Sequence, residues 1–224
     1  MNNSGARVLQ EDKRKLLKKD VFGQVLLVRG GDGPCILRDA SCSGRWVRPI
    51  ARWLIRREAK ALVVLEELDG TPSLIDMDRL SLRRSYLAGS VMQTARPTDA
   101  AYFRNAARLL RRMHRLGVVH NDLAKEPNWL VLQDGAPAIL DFQLASFRPR
   151  RDKLFRILAR EDIRHLLKHK RTYRPDLLTH REQNILANPA TLSKLWMQTG
   201  KRLYLFITRR ILGWKDRVDA HERS

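Results

Sequence analysis

Two carboxylates and one amide in this sequence have the types and order that phosphoryl transfer requires. They are Asp122 in His120-Asn121-Asp122, Asn128 six residues later, and Asp141 in Asp141-Phe142-Gln143. A phosphoryl group in flight is an anion whose charge is shared among its oxygens and divalent metal, so the protein mainly positions and neutralises. Asp122 is the candidate to orient an attacking hydroxyl and accept its proton. Magnesium takes oxygen ligands and keeps several waters, so one carboxylate and one amide oxygen suffice, and Asp141 with Asn128 supplies them. A cation must hold the nucleotide phosphates and a carboxylate must hold that cation. Arg38, which ends the apolar run Cys35-Ile36-Leu37, and Glu58 downstream fit those two parts.

These side chains need elements to carry them. Residues 21–28 (VFGQVLLV) are β-rich, and Gly30-Gly31-Asp32-Gly33-Pro34 separates them from Cys35-Ile36-Leu37, which predicts a hairpin ending in Arg38. Over residues 50–68 the apolar spacing turns helical, with Ile50, Trp53, Leu54, Leu62 and Leu65 on related faces and Gly70-Thr71-Pro72 as the stop. Short strand-like pieces follow at 73–75 and 81–87, and the chain turns helical after Gly89. Thr98-Asp99 caps a helix over 99–116 that Gly117 ends. Val118-Val119 then leads into the polar loop bearing Asp122. A hairpin of 129–132 with 138–140, turned at Asp134-Gly135, delivers Asp141, and from Arg151 the sequence reads as helical and basic.

The bulk composition limits the partners. Of 224 residues, 43% are hydrophobic, enough for a real core, and 44 Lys and Arg against 24 Asp and Glu leave a net charge of +20. That excess calls for an anionic partner, which could be nucleic acid, an acidic membrane surface or a phosphorylated substrate. No recognition motif with interleaved aromatics occurs, so no specific nucleic acid is expected. Cys35 and Cys42 form no metal-ligand spacing, and two isolated thiols suit a reducing compartment. Without a signal-like apolar stretch or a run of about 18 apolar residues, the expected location is the cytoplasm. Residues 192–217 (LSKLWMQTGKRLYLFITRRILGWKDR) mix apolar and basic side chains. They read first as a helix packed on the core, and second as an interfacial helix touching the inner face of the cell membrane.

The stretch LLRRMHRLGVVHNDLAKEPNWLV, followed by AILDFQLA, resembles the catalytic core of the protein-kinase-like superfamily. It is most similar to bacterial lipopolysaccharide-core (Kdo/heptose) kinases and to RIO-type kinases, over residues 21–170. The resemblance implies an α+β, bilobal fold: a small β-rich N-lobe with one helix over residues 1–87, and a mostly helical C-lobe over 88–224. It implies ATP and Mg2+ between the lobes, with Asp122 as catalytic base, Lys125 reaching the γ-phosphate, and Asn128 and Asp141 on the metal. Gly23, Arg38 and Glu58 would serve the nucleotide, while His120 and Phe142 would pack the catalytic loop against the metal loop.

Several positions depart from the family pattern. The Asp122–Asn128 gap is one residue longer than usual and contains Pro127, Gln143 replaces the glycine of the D-F-G triplet, and Arg38 replaces the usual lysine. Only Gly23 remains of the glycine-rich loop, and no A-P-E segment follows Asp141. The implied activity is an atypical kinase moving the γ-phosphoryl of ATP to a hydroxyl, first of a lipopolysaccharide-core sugar or related anionic glycolipid. The alternatives are a RIO-like serine/threonine protein kinase and a non-catalytic pseudokinase that binds nucleotide or an anionic partner.

Overall fold

The structure is a computed structural model that describes residues 13–30 and 33–188. The chain forms two compact units, Met1–Leu178 and Thr179–Ser224. The first has an antiparallel sheet followed by a largely helical part, an α+β architecture. Its sheet holds β1 (Lys13–Asp20), β2 (Gly23–Gly30) and β3 (Gly33–Asp39), then, after the helix α1 (Arg48–Val64), β4 (Leu74–Met77) and β5 (Ser81–Ser85). The spatial order is β1-β2-β3-β5-β4. The expected β2–β3 hairpin forms, although its turn at 31–32 lies outside the described residues, as does the whole of 192–217. No described helix is long and apolar enough to cross a membrane.

β1 was not expected from its sequence. KRKLLKKD is almost entirely exposed and poor in strand formers; its backbone is satisfied by pairing with β2, and lysines are what an edge strand tolerates. The register runs Lys18–Val25–Arg38–Leu82 across four strands. Directly paired residues of antiparallel strands share a face, so Lys18 and Arg38 project from the same side of the sheet.

α1 differs from its expected form in extent and face. It stops at Val64, and Leu65 and Leu68 are buried in the turn beyond it. The buried stripe runs through Ala51, Leu54, Ile55, Glu58 and Leu62; of the residues read as sharing related faces, Leu54, Leu62 and Leu65 are buried, while Ile50 and Trp53 are exposed. The small Ala51, Ala59 and Ala61 let neighbouring backbone approach, and that choice of face carries Glu58 inward.

β6 (Gly89–Val91) and the single turn α2 (Met92–Ala95), neither expected separately, precede α3 (Ala100–Arg115). α3 starts as the sequence indicates: the Asp99 side chain accepts from the Ala101 N–H at 2.7 Å. Then come β7 (Val118–Val119), β8 (Trp129–Leu132), β9 (Pro137–Ile139), β10 (Ser146–Phe147) and α4 (Lys153–Tyr173). β6, β8 and β9 form one small sheet, β7 and β10 another. The core of this unit joins Leu62 and Leu65 to Tyr102, Leu110, Met113, Trp129 and Phe142, all 2% exposed or less. In the second unit, α5 (His180–Ala187) opens with a reciprocal capping box between Thr179 and Glu182.

Gly23 begins β2 directly after the two-residue turn Val21-Phe22, at φ +135°. A Cβ there would lie 2.2 Å from the Asp39 carbonyl oxygen and 2.8 Å from Ala40 Cα, both backbone atoms. Glycine is therefore required by the close approach of β2 to the end of β3. Gly23→Ala is expected to destabilise the fold by at least about 1–3 kcal/mol, measured by urea unfolding; an unchanged midpoint would show that β3 yields easily here.

Candidate active site

The N-terminal sheet contributes a buried charge cluster. Arg38 Nε lies 3.1 Å from Glu58 Oε2, Arg84 Nε lies 3.3 Å from Glu58 Oε1, and Arg38 Nη2 reaches Asp141 Oδ1 at 3.3 Å. Glu58 is wholly buried, and both arginine side chains are about one-tenth exposed. The two contacts to Glu58 are ion pairs by distance but miss hydrogen-bond geometry, so they act through charge. At so dry a site that attraction must offset the desolvation of both partners. Two guanidiniums against two carboxylates leave the cluster neutral. Burial pulls Arg38 down, but Glu58, then Asp141 and Asp20, outweigh it and hold the guanidinium above its ordinary value.

The loop between β7 and β8 contributes the second half. Asp122 Oδ2 accepts from Lys125 Nζ at 2.8 Å and from Asn128 Nδ2 at 3.1 Å, and Asn128 Nδ2 also donates to the Asp122 carbonyl at 2.8 Å. The Leu140 N–H donates to the Asn128 carbonyl at 2.9 Å, which brings Asp141 alongside. Lys125, Asp122 and Asn128 thus form one group and Asp141, Arg38 and Glu58 another, joined through the Leu140 backbone. Gly23 stands apart from both, packed against Asp39 and Ala40. The extra residue between Asp122 and Asn128 is taken up in a 3₁₀ turn, Glu126–Asn128, with Pro127 in its first positions.

Buried groups hold this loop from behind. Asp162, 1% exposed on α4, accepts from the backbone N–H of His120 at 2.8 Å and of Asn121 at 3.0 Å, and lies 3.2 Å from His114 Nε2. His169 Nε2 donates to the Leu123 carbonyl at 2.8 Å, and Tyr173 Oη donates to Glu126 Oε2 at 2.7 Å. Asp162, His169 and Tyr173 are spaced seven and four residues apart, so one face of α4 cradles the loop. His120 Nε2 donates to the Leu140 carbonyl at 2.8 Å while Nδ1 accepts from the Asp122 N–H at 3.3 Å, which places the ring proton on Nε2. Its ring meets Phe142 edge-on, with centroids 4.8 Å apart. Arg57, next to Glu58 on α1, donates to the carbonyls of Leu144 and Ala145 at 2.8 and 2.7 Å, and Asn121 Nδ2 donates to the same Leu144 carbonyl at 2.8 Å.

The donor set fits a hard divalent cation. Both hydrogen bonds of the Asn128 amide use Nδ2, which leaves Oδ1 as a neutral oxygen ligand. Asp141 spends Oδ1 on Arg38, and its Oδ2 makes no hydrogen bond among the described residues. Burial pushes the Asp141 carboxyl up, but the positive charges around it, Arg38 and Arg84 foremost, win and hold it below its ordinary value. An ionised carboxylate beside an amide oxygen suits magnesium.

Sequence reasoning missed Arg84, Asp162, Arg57 and Lys18. Arg84 and Asp162 are charged residues inside apolar stripes, and that mismatch was the signal to follow. Lys18, paired with Asp20 at 3.4 Å, is one of the cations acting on Asp141; within the lysine-rich β1 nothing in its sequence context marked it.

This is the protein-kinase-like fold. Among solved structures, the chain is similar to the Rio2 kinase from Chaetomium thermophilum, with TM-score 0.58 and 16% identity over 74% of this chain and 58% of that one. It is also similar to a Rio2 kinase-ADP/Mg2+-phosphoaspartate complex from the same organism, with TM-score 0.57 and 14% identity over 90% of this chain and 67% of that one. No protein-family model matches the sequence, and no curated protein is significantly similar to it.

Glu58→Gln leaves Arg38 and Arg84 buried without their shared counter-charge. It is expected to cost about 3–5 kcal/mol of stability, and Arg84→Met in the same chain should recover part of that loss; strict additivity in urea unfolding would show the pair is uncoupled. Because the Asp141 carboxyl titrates lower in the folded chain than its ordinary value, its ionised form stabilises the fold at pH above that ordinary value. The contribution is lost as pH falls through the folded value. Asp141→Asn should therefore flatten the acid limb of thermal stability between about pH 2 and 5; identical limbs would mean that Arg38 does not hold the carboxylate.

Proposed function

We propose that the chain is an ATP-dependent phosphotransferase of protein-kinase-like fold that moves the γ-phosphoryl group to a hydroxyl. The observation that carries this reading is two side-chain groups from distant parts of the sequence, Lys125–Asp122–Asn128 and Asp141–Arg38–Glu58, tied together by the backbone hydrogen bond from Leu140, next to Asp141, to the Asn128 carbonyl. In this reading Asp122 takes the proton of the attacking hydroxyl, whose oxygen bonds to the γ-phosphorus as the bond to ADP breaks. Asn128 and Asp141 hold Mg2+, which supplies charge neutralisation on the phosphates. Lys125, already against Asp122, serves the γ-phosphate, and Arg38, positioned by Glu58, faces the nucleotide. Residues 1–87 act as the nucleotide-phosphate lobe, with Gly23 shaping the β1–β2 edge, and 88–224 as the catalytic lobe. The Rio2 kinase complex to which the chain is similar holds ADP and Mg2+, which supports the same cofactors here.

The proposed acceptor is a sugar hydroxyl of lipopolysaccharide core or a related anionic glycolipid, met on the cytoplasmic side. The +20 net charge supports an anionic acceptor. A RIO-like serine/threonine protein kinase is the second reading, favoured by the Rio2 neighbours.

Incubation with γ-labelled ATP and Mg2+, offering glycolipid and protein acceptors separately, tests the reading and chooses between acceptors. Asp122→Ala should lower transfer about 10²–10⁴-fold, and equal rates would remove Asp122 from the chemistry. Asp141→Ala should abolish the magnesium dependence of nucleotide binding in a calorimetric titration; unaltered affinity with no transfer by the wild type would leave a pseudokinase.

A further inference from the structure

The outer face of α1 plays no part in the site, and its composition is unusual for a surface bathed only in water. Trp46, in the turn just ahead of α1, is 95% exposed; Ile50 and Trp53 follow at helical spacing and are 48% and 50% exposed. These three form an apolar ridge roughly 10 Å long. Beside it lies a second stripe, Arg45, Arg52 and Arg56, of which Arg45 and Arg56 are exposed and Arg52 half-buried. From Asp39 to Glu66 the only intervening carboxylate is Glu58, and that one is fully buried. The neighbouring charge of Arg79 and then burial and Arg56 pull the Arg52 guanidinium below its ordinary value, a mark of uncompensated positive charge.

We propose that this face docks the protein on an acidic phospholipid surface, with Trp46, Ile50 and Trp53 entering the headgroup boundary and Arg45, Arg52 and Arg56 pairing with lipid phosphates. The chemistry of the ridge selects this partner. Indoles settle at the boundary between hydrocarbon and water, and guanidiniums bind phosphate bidentately. An isoleucine between two indoles on a convex helix needs an apolar medium to enter, and the headgroup boundary of a bilayer supplies one. No carboxylate between Asp39 and Glu66 is accessible, so α1 itself offers no repulsion to an anionic surface. Arg48 is already engaged with the Ser41 and Ser43 carbonyls and is left out of the assignment.

Docking needs no nucleotide, so it can fail while the phosphotransfer chemistry stands, and the reverse. It does reach the site physically. Trp53 is covered by the Arg57 guanidinium, 4.5 Å from the ring centroid, and Arg57 holds the Leu144 and Ala145 carbonyls beyond Asp141.

The test is co-sedimentation of the full chain with vesicles of phosphatidylcholine, with or without phosphatidylglycerol. Residues 192–217 are present in every variant and so cancel in the comparison. W46A/W53A should weaken binding to the acidic vesicles at least about tenfold, while R45Q/R52Q/R56Q should erase the preference for acidic over neutral lipid. Brominated lipid should quench wild-type indole emission more than that of W46A/W53A. Should W46A/W53A lower the thermal midpoint, the arginine variant and the quenching decide. Binding by both variants equal to wild type would overturn the proposal. So would a face-dependent affinity for RNA or for an acidic protein with no vesicle binding by the wild type.

Discussion

A carboxylate shut away from water, between two guanidiniums, is the constraint on which the rest of this structure turns. Glu58 has no accessible surface, and an isolated charge in that position would cost several kcal/mol. Its two counter-charges come from different strands: Arg38 from β3 and Arg84 from β5. The pairing therefore fixes α1 in rotation and in height against the sheet. Rotation by one residue, about 100°, would move Glu58 away from both guanidiniums and turn the half-buried Arg57 or the small Ala59 toward them instead. Because Arg38 also reaches Asp141, the same constraint passes from the sheet to the segment after β9.

The loop bearing Asp122 is fixed by a different means. Asn121 and Asp141 both have positive φ, 66° and 62°, a conformation that costs a non-glycine residue on the order of 1 kcal/mol or more. The surroundings over-determine both. Asp162 takes two consecutive backbone N–H groups at 120 and 121, and Asn121 spends its side-chain amide on Leu144 and Ser146. Strain is held by a buried carboxylate on α4, a 21-residue helix that begins more than twenty residues beyond the loop. Rigidity in the loop is thus supplied from outside it, as expected where a base must be held at a set distance from its substrate.

The order of chemical types was legible in the sequence, and so were the elements with strong local signals. α3 had its Asp99 cap and its glycine stop, and the β8–β9 hairpin had Asp134-Gly135. β1 was illegible because an exposed edge strand needs no apolar pattern. Which apolar residues of α1 face inward was not legible, because Ile50 and Trp53 share the helical spacing of the buried Leu54 and Leu62, while the buried stripe also takes in three alanines and a glutamate. Arg84 and Asp162 were passed over because each sits among other charges, Arg83 beside one and Arg160, Glu161 and Arg164 around the other; only tertiary pairing shows which of these charges is buried. Arg38 and Glu58, twenty residues apart in sequence, could be paired from the sequence only through family resemblance.

Arginine at position 38 then takes on a structural logic of its own. An ammonium is a compact point charge, while a guanidinium presents a rigid fork of donors. Here one edge of that fork, Nε, addresses Glu58 and another, Nη2, addresses Asp141. Glu58 needs two cations because it is fully buried, and Arg84, drawn below its ordinary value chiefly by burial, cannot also reach outward from the core. Arg38 therefore serves two carboxylates at once, and it couples the position of α1 to that of Asp141. Arg57, one residue from Glu58, repeats the coupling through the Leu144 and Ala145 carbonyls. Displacing α1 relative to that segment would break the Glu58–Arg38–Asp141 charge contacts and the Arg57 backbone contacts together.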